Sequence, residues 1–316
     1  MDGSHAQAGS DARWTAVADW AELERRGRLV VKPGPRQILL VLDKGRLYAC
    51  NNNCPHEGYP LSEGTFADGE GGQCLLTCNW HNWKFDLDGG ETLVGGDRLR
   101  RYPVRRSGER VEIDLAEPPP AERRAAALAE IDAALPEEDY GRIARGLGRL
   151  QAAGGTRAEA IRHVLAATHD RLEFGMGHAH ASAPDWLEIG RRFAADAAEA
   201  LVPPLEIVGY LGEVSLRQPR FPYPEGRAPW DAAAFLAAVE AEDEAAALAC
   251  IRGALAEGLP MAALWPVLAK AALAHYADFG HQIQTLNHNS PLSEDEWNRA
   301  KDSVKTIILK GIGVAT

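Results

Sequence analysis

A surplus of cationic charge is missing from this chain of 316 residues: 34 Lys and Arg stand against 45 Asp and Glu, a formal net charge of −11. A nucleic-acid backbone requires clustered Lys and Arg, so it is excluded as the expected partner, and the acidic excess reads as solvated surface. Cysteine is scarce too. Five in a chain of this size do not make a disulfide framework, and thiols without obvious partners fit a reducing compartment. Long apolar runs are also lacking. The longest, around Ala262 to Ala274, is interrupted by Pro266 and Lys270 and is too short and polar to span a bilayer. The opening residues, MDGSHAQAGSDA, have no apolar core of a secretory signal, so residues 1–13 are expected to form a flexible tail and the protein to be cytoplasmic. No G-x-G-x-x-G follows a strand, and a nicotinamide or flavin nucleotide would therefore enter through a separate reductase.

What is present divides in two, as the length and a 46% hydrophobic composition allow. Residues 14–117 read as short β segments punctuated by turns. Residues 37–43 and 46–50 flank Lys44-Gly45 as a hairpin, 73–77 and 84–86 bracket a loop, and 99–104 and 111–115 form a last hairpin across Ser107-Gly108. The prolines at 118–120 then make a stiff hinge. Residues 121–316 are alanine-rich with helical periodicity. Helices are expected over 121–135, 137–153, 157–174, 184–201, 205–216, 229–241, 244–257, 261–287 and 294–309. The fold class is thus multidomain, a small all-β domain followed by an all-α helical bundle.

Within the β half, Cys54-Pro55-His56 and Cys78-Asn79-Trp80-His81 place a C-x-H and a C-x-x-H with twenty-one residues between His56 and Cys78. A tight C-x-H needs a turn that presents both side chains at one loop tip, and Pro55, Gly58 and Pro60 supply it. Zinc sites usually space cysteines C-x(2–4)-C and histidines H-x(3–5)-H, so a zinc ribbon fits less well; two unrelated Cys/His pairs are the other alternative. The segments CPHEGYPLSEG and CNWHNWKFDLDGGE resemble the paired cluster-binding loops of the Rieske [2Fe–2S] family. That resemblance implies Cys54 and Cys78 as thiolate ligands of one iron, and His56 and His81 as the solvent-facing imidazole ligands of the other. Trp80, Trp83 and Phe85 would shield the cluster. Members from respiratory and photosynthetic complexes add a disulfide and hydroxyl donors. Tyr59, Trp80, Trp83 and Phe85 stand at the corresponding positions here, so the resemblance is to the ferredoxin and oxygenase branch, with a potential in the lower part of the family's range. Cys50, Cys74 and Cys250 have no histidine at ligand spacing, and Cys50 and Cys74 read as small buried hydrophobes.

The helical half carries signs of an internal duplication, with repeats at about 137–182 and 242–288. Glu138-Asp139, Val164-Leu165-Ala166, His169 and Glu173-Phe174-Gly175 recur about 104 residues later as Glu242-Asp243, Val267-Leu268-Ala269, His275 and Asp278-Phe279-Gly280. Two alanine-rich helices also match by chance, which is the alternative. Seven histidines fall in this half. On continuous helices His169 and Glu173 would share one face, as would His275, Asp278 and His281; with His178 they form the imidazole and carboxylate set of a non-haem iron site. A metal-free pocket lined by the same residues, and a purely structural role, are the other readings.

Two functions follow as expectations. One is an oxidoreductase that takes electrons from a reductase or ferredoxin and passes them to the helical half for oxidation or oxygenation of a small organic substrate. A homo-oligomer would then shorten the transfer distance, as the family's oxygenases imply. The other is an electron-transfer or redox-sensing protein whose helical half docks a partner or dimerises. Beside these two stands a small-molecule binder with a vestigial cluster.

Overall fold

The computed structural model describes residues 13–172, 177–196 and 198–274. The chain divides into two compact units, Met1–Pro119 and Pro120–Thr316, each taken by itself below.

The first unit is antiparallel β throughout its described sheets. Strands β1 (Trp14–Asp19), β2 (Arg28–Val31), β3 (Ile38–Asp43), β4 (Arg46–Asn51), β5 (Thr65–Asp68), β6 (Cys74–Thr77), β7 (Lys84–Asp86), β8 (Thr92–Val94), β9 (Val104–Ser107) and β10 (Arg110–Asp114) form three sheets, β1-β10-β9, β2-β3-β4 and β5-β6-β7-β8. The hairpin at Lys44-Gly45 forms because both residues take positive φ, 47° and 78°, the turn whose twist suits paired strands. The last hairpin is shorter than expected: β9 begins only at Val104, after Pro103, while Arg101 contributes a single bridge to Cys50. One short helix, α1 (Trp20–Arg26), was not visible in the sequence; it ends on Gly27 in the left-handed region and buries Leu23.

Alternation along β3 and β4 sends side chains to two apolar clusters. Leu39, Val41, Tyr48 and Cys50 join Leu61, Leu76, Phe85 and Leu87 under the two Cys/His loops, whereas Ile38, Leu40 and Ala49 pack with Leu23, Val111 and Ile113. The loops are thus seated on a dry base.

The second unit is helical: α2 (Pro120–Ala134), α3 (Tyr140–Ala152), α4 (Arg157–Thr168), α5 (His178–Phe193), α6 (Val202–Leu216), α7 (Ala232–Glu240), α8 (Glu244–Ala256) and α9 (Met261–Ala274). Both halves of the expected β-then-α class are present. Several boundaries differ from expectation: the helix expected over 184–201 ends at Phe193, and those expected from 205 and 229 begin at Val202 and Ala232. Helix α4 stops at Thr168, whose hydroxyl turns back onto the Val164 carbonyl at 2.7 Å, and a 3₁₀ turn His169–Arg171 follows in place of helix to 174. Helix α5 starts six residues before Pro184 and takes that proline in at its second turn, where one intrahelical bond is lost rather than the helix.

Several features of α2–α4 have counterparts 104 positions later in α7–α9, although the helix bounds do not all keep that spacing, α2 ending at Ala134 and α7 at Glu240. Glu138 and Glu242 take positive φ at the first turn; Gly154 and Gly258 do so at the second. Buried Ile131, Leu147, Leu150 and Val164 correspond to buried Phe235, Ile251, Ala254 and Leu268. Each trio has its own core, and the first also takes in α5 and α6. The part of the expected second repeat beyond Ala274, and with it the helix expected at 294–309, lies outside the described residues.

Candidate metal centre

The two ligand loops are built on one backbone pattern. In the first, the Cys54 N–H donates to the Tyr59 carbonyl (2.9 Å) and the Gly58 N–H donates to the Cys54 carbonyl (2.8 Å). In the second, the Cys78 N–H donates to the Trp83 carbonyl (2.8 Å) and the Asn82 N–H to the Cys78 carbonyl (2.9 Å). The residue four past each cysteine must be left-handed for the loop to close, and it is Gly58 at φ 76° or Asn82 at φ 60°. Asn79 ties the loops together: its amide donates to the Glu63 carbonyl at 2.7 Å and its carbonyl oxygen accepts from the Thr65 hydroxyl at 2.9 Å. Gly64 lets the first loop lie against β6, since a Cβ there would stand 2.6 Å from the Thr77 carbonyl.

This scaffold brings all four expected side chains together in pairs. Cys54 and Cys78 are buried together at the base, with the backbone N–H groups of His56 and Glu57 beside the Cys54 sulfur. Burial pushes the Cys54 thiol up to about 11, with the Cys78 sulfur adding to the rise and the two N–H groups opposing it. Such a sulfur gives up its proton to a cationic centre rather than to water. The imidazoles pair further out, with ring centroids 4.6 Å apart and planes at 73°. His56 lies flat on the Trp83 indole (4.6 Å, 10°), while His81 meets Trp80 edge-on at 5.7 Å. Trp80 stacks on Tyr59, whose hydroxyl donates to the Glu63 carboxylate, and at 60% exposure forms an open wall beside the site.

One atom tests whether a metal group fits. His56 Nδ1 is buried and has no hydrogen-bond partner among the described residues, a costly state for a polar atom unless it donates its lone pair to a Lewis acid. Two adjacent sulfurs below two adjacent ring nitrogens are the donor set of a two-iron cluster with mixed ligation, and the residues fit it. Glu57, which sequence reasoning did not single out, stands 3.9 Å from His56 Nε2 and 3.9 Å from His81 Nδ1. Asn79 was also missed, although a small amide inside a metal-binding turn is itself a signal for a loop brace. Cys50 and Cys74 are buried strand residues apart from this set; burial pushes Cys50 up to about 12 and Cys74 up to about 11.

In the helical unit the expected second set is only partly described. His169 caps the end of α4, its Nδ1 2.8 Å from the Ala166 carbonyl, and His178 is the first residue of α5. Because α4 ends at Thr168, His169 does not sit on a helix that continues to position 173. Glu173, His275, Asp278 and His281 lie outside the described residues. Among the described residues, the group of histidine, cysteine and carboxylate side chains spaced to share a metal ion is His56, Glu57 and His81. His163 pairs with Asp132 at 2.8 Å, and His180 is buried with neither ring nitrogen partnered. No helix among the described residues is long and apolar enough to cross a membrane.

Comparison with known proteins bears on both units. Residues 13–102 match the family described as the Rieske [2Fe–2S] domain, and residues 250–315 match the C-terminal region of the YcdC-like proteins. The ferredoxin component of the alkene monooxygenase system of Xanthobacter autotrophicus is 36% identical over 93 residues, 29% of this chain and 72% of that protein. The 4beta-methylsterol monooxygenase of Methylococcus capsulatus is 36% identical over 104 residues, 27% of this chain and 27% of that enzyme. Among solved structures, the ferredoxin of carbazole 1,9a-dioxygenase from Nocardioides aromaticivorans IC177 is similar at 22% identity and a TM-score of 0.30, over 33% of this chain and 98% of that one. The chain therefore spans most of the first relative and about a quarter of the second.

Proposed function

Because the chain belongs, through residues 13–102, to the Rieske [2Fe–2S] family, we propose that its β unit takes electrons singly from a reductase or ferredoxin and delivers them to the helical unit. There a small organic substrate is oxidised or oxygenated. The observation that carries this reading is the paired donor set, two buried thiols and two imidazoles, with the His56 Nδ1 buried and unpartnered among the described residues. When bound, the [2Fe–2S] cluster supplies one-electron transfer at a potential that its two imidazoles raise. Cys54 and Cys78 would hold its inner iron and exclude water; His56 and His81 would hold the outer one and form the exit toward a partner. Among the relatives, the Methylococcus monooxygenase supports a catalytic role.

A mononuclear non-haem iron belongs to the same proposal, on His169, Glu173, His178, His275, Asp278 and His281, and would supply oxygen activation. So does a homo-oligomer, which would let one chain's cluster serve another's helical unit. Cytoplasmic residence fits the five reduced cysteines.

A second reading is favoured by the 72% of a ferredoxin component that the chain spans: an electron carrier or redox sensor whose helical unit docks a partner or dimerises. Iron quantified on anaerobically purified protein separates the two. The carrier gives about two irons per chain, as one [2Fe–2S] centre requires. The enzyme gives more, with Glu173→Ala or Asp278→Ala removing only the excess. Colourless, zinc-loaded protein silent to dithionite overturns both.

A further inference from the structure

We propose that Trp83, pressed into place by Gly95, is a positioning residue that sets the plane of the His56 imidazole; this rests on the assignment of His56 as a cluster ligand. The indole and imidazole planes differ by only 10° with centroids 4.6 Å apart, so rotation of the His56 ring about its Cβ–Cγ bond drives its edge into the indole. The indole has nowhere to retreat. Gly95 follows β8, opposite the start of β7, and its backbone comes so close that a Cβ there would stand 2.3 Å from Trp83 Cδ2 and 2.7 Å from Cγ. Its φ of 117° is likewise one that side chains rarely adopt. Phe85, fully buried, meets the indole at 6.4 Å and completes the support.

The second imidazole lacks this clamp. His81 meets Trp80 edge-on, its side chain is 40% exposed against 26% for His56, and Trp80 is itself mostly in solvent. The two histidines are therefore unequal: His56 has an indole stacked flat behind its ring, whereas the rings beside His81 meet it edge-on. Orientation of a ligand ring governs its overlap with the metal, and outer residues that fix it tune the site.

The test compares wild type with Trp83→Leu, Trp83→Phe, Gly95→Ala and Trp80→Leu, each purified anaerobically with its iron counted. The readouts are the g-values of the dithionite-reduced signal and the midpoint potential. The expected result is a changed g-anisotropy and a displaced potential in loaded Trp83→Leu and Gly95→Ala, return toward wild type in Trp83→Phe, and little change in Trp80→Leu. A merely structural indole would lower yield, iron occupancy and melting temperature while leaving the loaded fraction's g-values as in wild type, and that outcome overturns the proposal. Gly95→Ala and Trp83→Phe keep the question open to measurement should Trp83→Leu fail to fold. Wild-type protein without iron overturns the cluster assignment and this inference together, whereas loaded wild type with unaltered variants overturns the inference alone.

Discussion

Asp139 and Asp243, 104 positions apart, cap their helices in the same way, each carboxylate accepting the backbone N–H three residues on, that of Arg142 at 2.9 Å and that of Ala246 at 3.0 Å. Each also follows a glutamate in the left-handed region, Glu138 at φ 52° and Glu242 at φ 55°. The two turns are one device used twice, and equal energetic consequences are expected of them. Asp139→Ala and Asp243→Ala should each cost about 1 kcal/mol, the usual worth of an N-cap. Glu242→Gly should instead stabilise by roughly 0.5 kcal/mol, because glycine carries no penalty at that φ. Urea denaturation of the full chain checks all three; an Asp243→Ala variant as stable as wild type would show that the second turn does not bear the load of the first.

Cysteine substitutions should sort by loop. Cys54→Ser and Cys78→Ser remove a sulfur from the paired donor set and are expected to abolish the visible absorbance and the reduced-state signal. Cys50→Ser and Cys74→Ser should retain both, since neither belongs to that set. The Cys50 thiol, 1% exposed and pushed up to about 12 by burial, should also resist iodoacetamide at pH 8 until the chain unfolds.

The contrast between those cysteines shows what a sequence can reveal. Cys54, His56, Cys78 and His81 were legible because metal ligation demands fixed residue types at spacings that a turn can satisfy. The Lys44-Gly45 hairpin was legible because both residues must take positive φ. Helix ends in the second unit were less so. Thr168 stops α4 through a hydroxyl that competes with the backbone, and Pro184 fails to start α5 because packing tolerates one lost bond. Glu57 and Gly95 were illegible for a different reason: each matters through contacts with residues distant in sequence or through the aim of a side chain, neither of which periodicity encodes. Helix α1, at seven residues, is too short to show a period at all.

Acid should destabilise the helical unit through His180. Its imidazole is 7% exposed, neither ring nitrogen has a partner among the described residues, and desolvation lowers it from 6.5 to about 4. The unfolded chain therefore binds a proton below pH 6.5 that the folded chain refuses until about pH 4. Stability falls as pH drops through that window, by roughly 3 kcal/mol for this group at the acid end, and is indifferent to it above pH 7. His180→Phe should flatten the dependence between pH 6.5 and 4 in circular-dichroism melts of the helical signal. A variant with the wild-type slope would assign the acid sensitivity elsewhere.

Glu57 should hold the potential of the β unit down. Its carboxylate lies 3.9 Å from a ring nitrogen of each imidazole, and adding an electron beside a fixed negative charge is unfavourable. At 57% exposure the interaction is largely water-screened, which limits it to about 1 kcal/mol. For a one-electron couple that corresponds to roughly 40 mV. Glu57→Gln keeps the size of the side chain and removes the charge, so the midpoint should rise by a few tens of millivolts. The rise should shrink as salt is raised from 0.01 M to 1 M, because the Debye length contracts from about 30 Å to about 3 Å. Voltammetry of both proteins at the two salt concentrations decides the matter: a midpoint unchanged by the substitution at low salt would mean that the carboxylate turns away from the imidazoles once the cluster is bound, and a rise insensitive to salt would mean that the introduced amide acts through its hydrogen bonds rather than through lost charge.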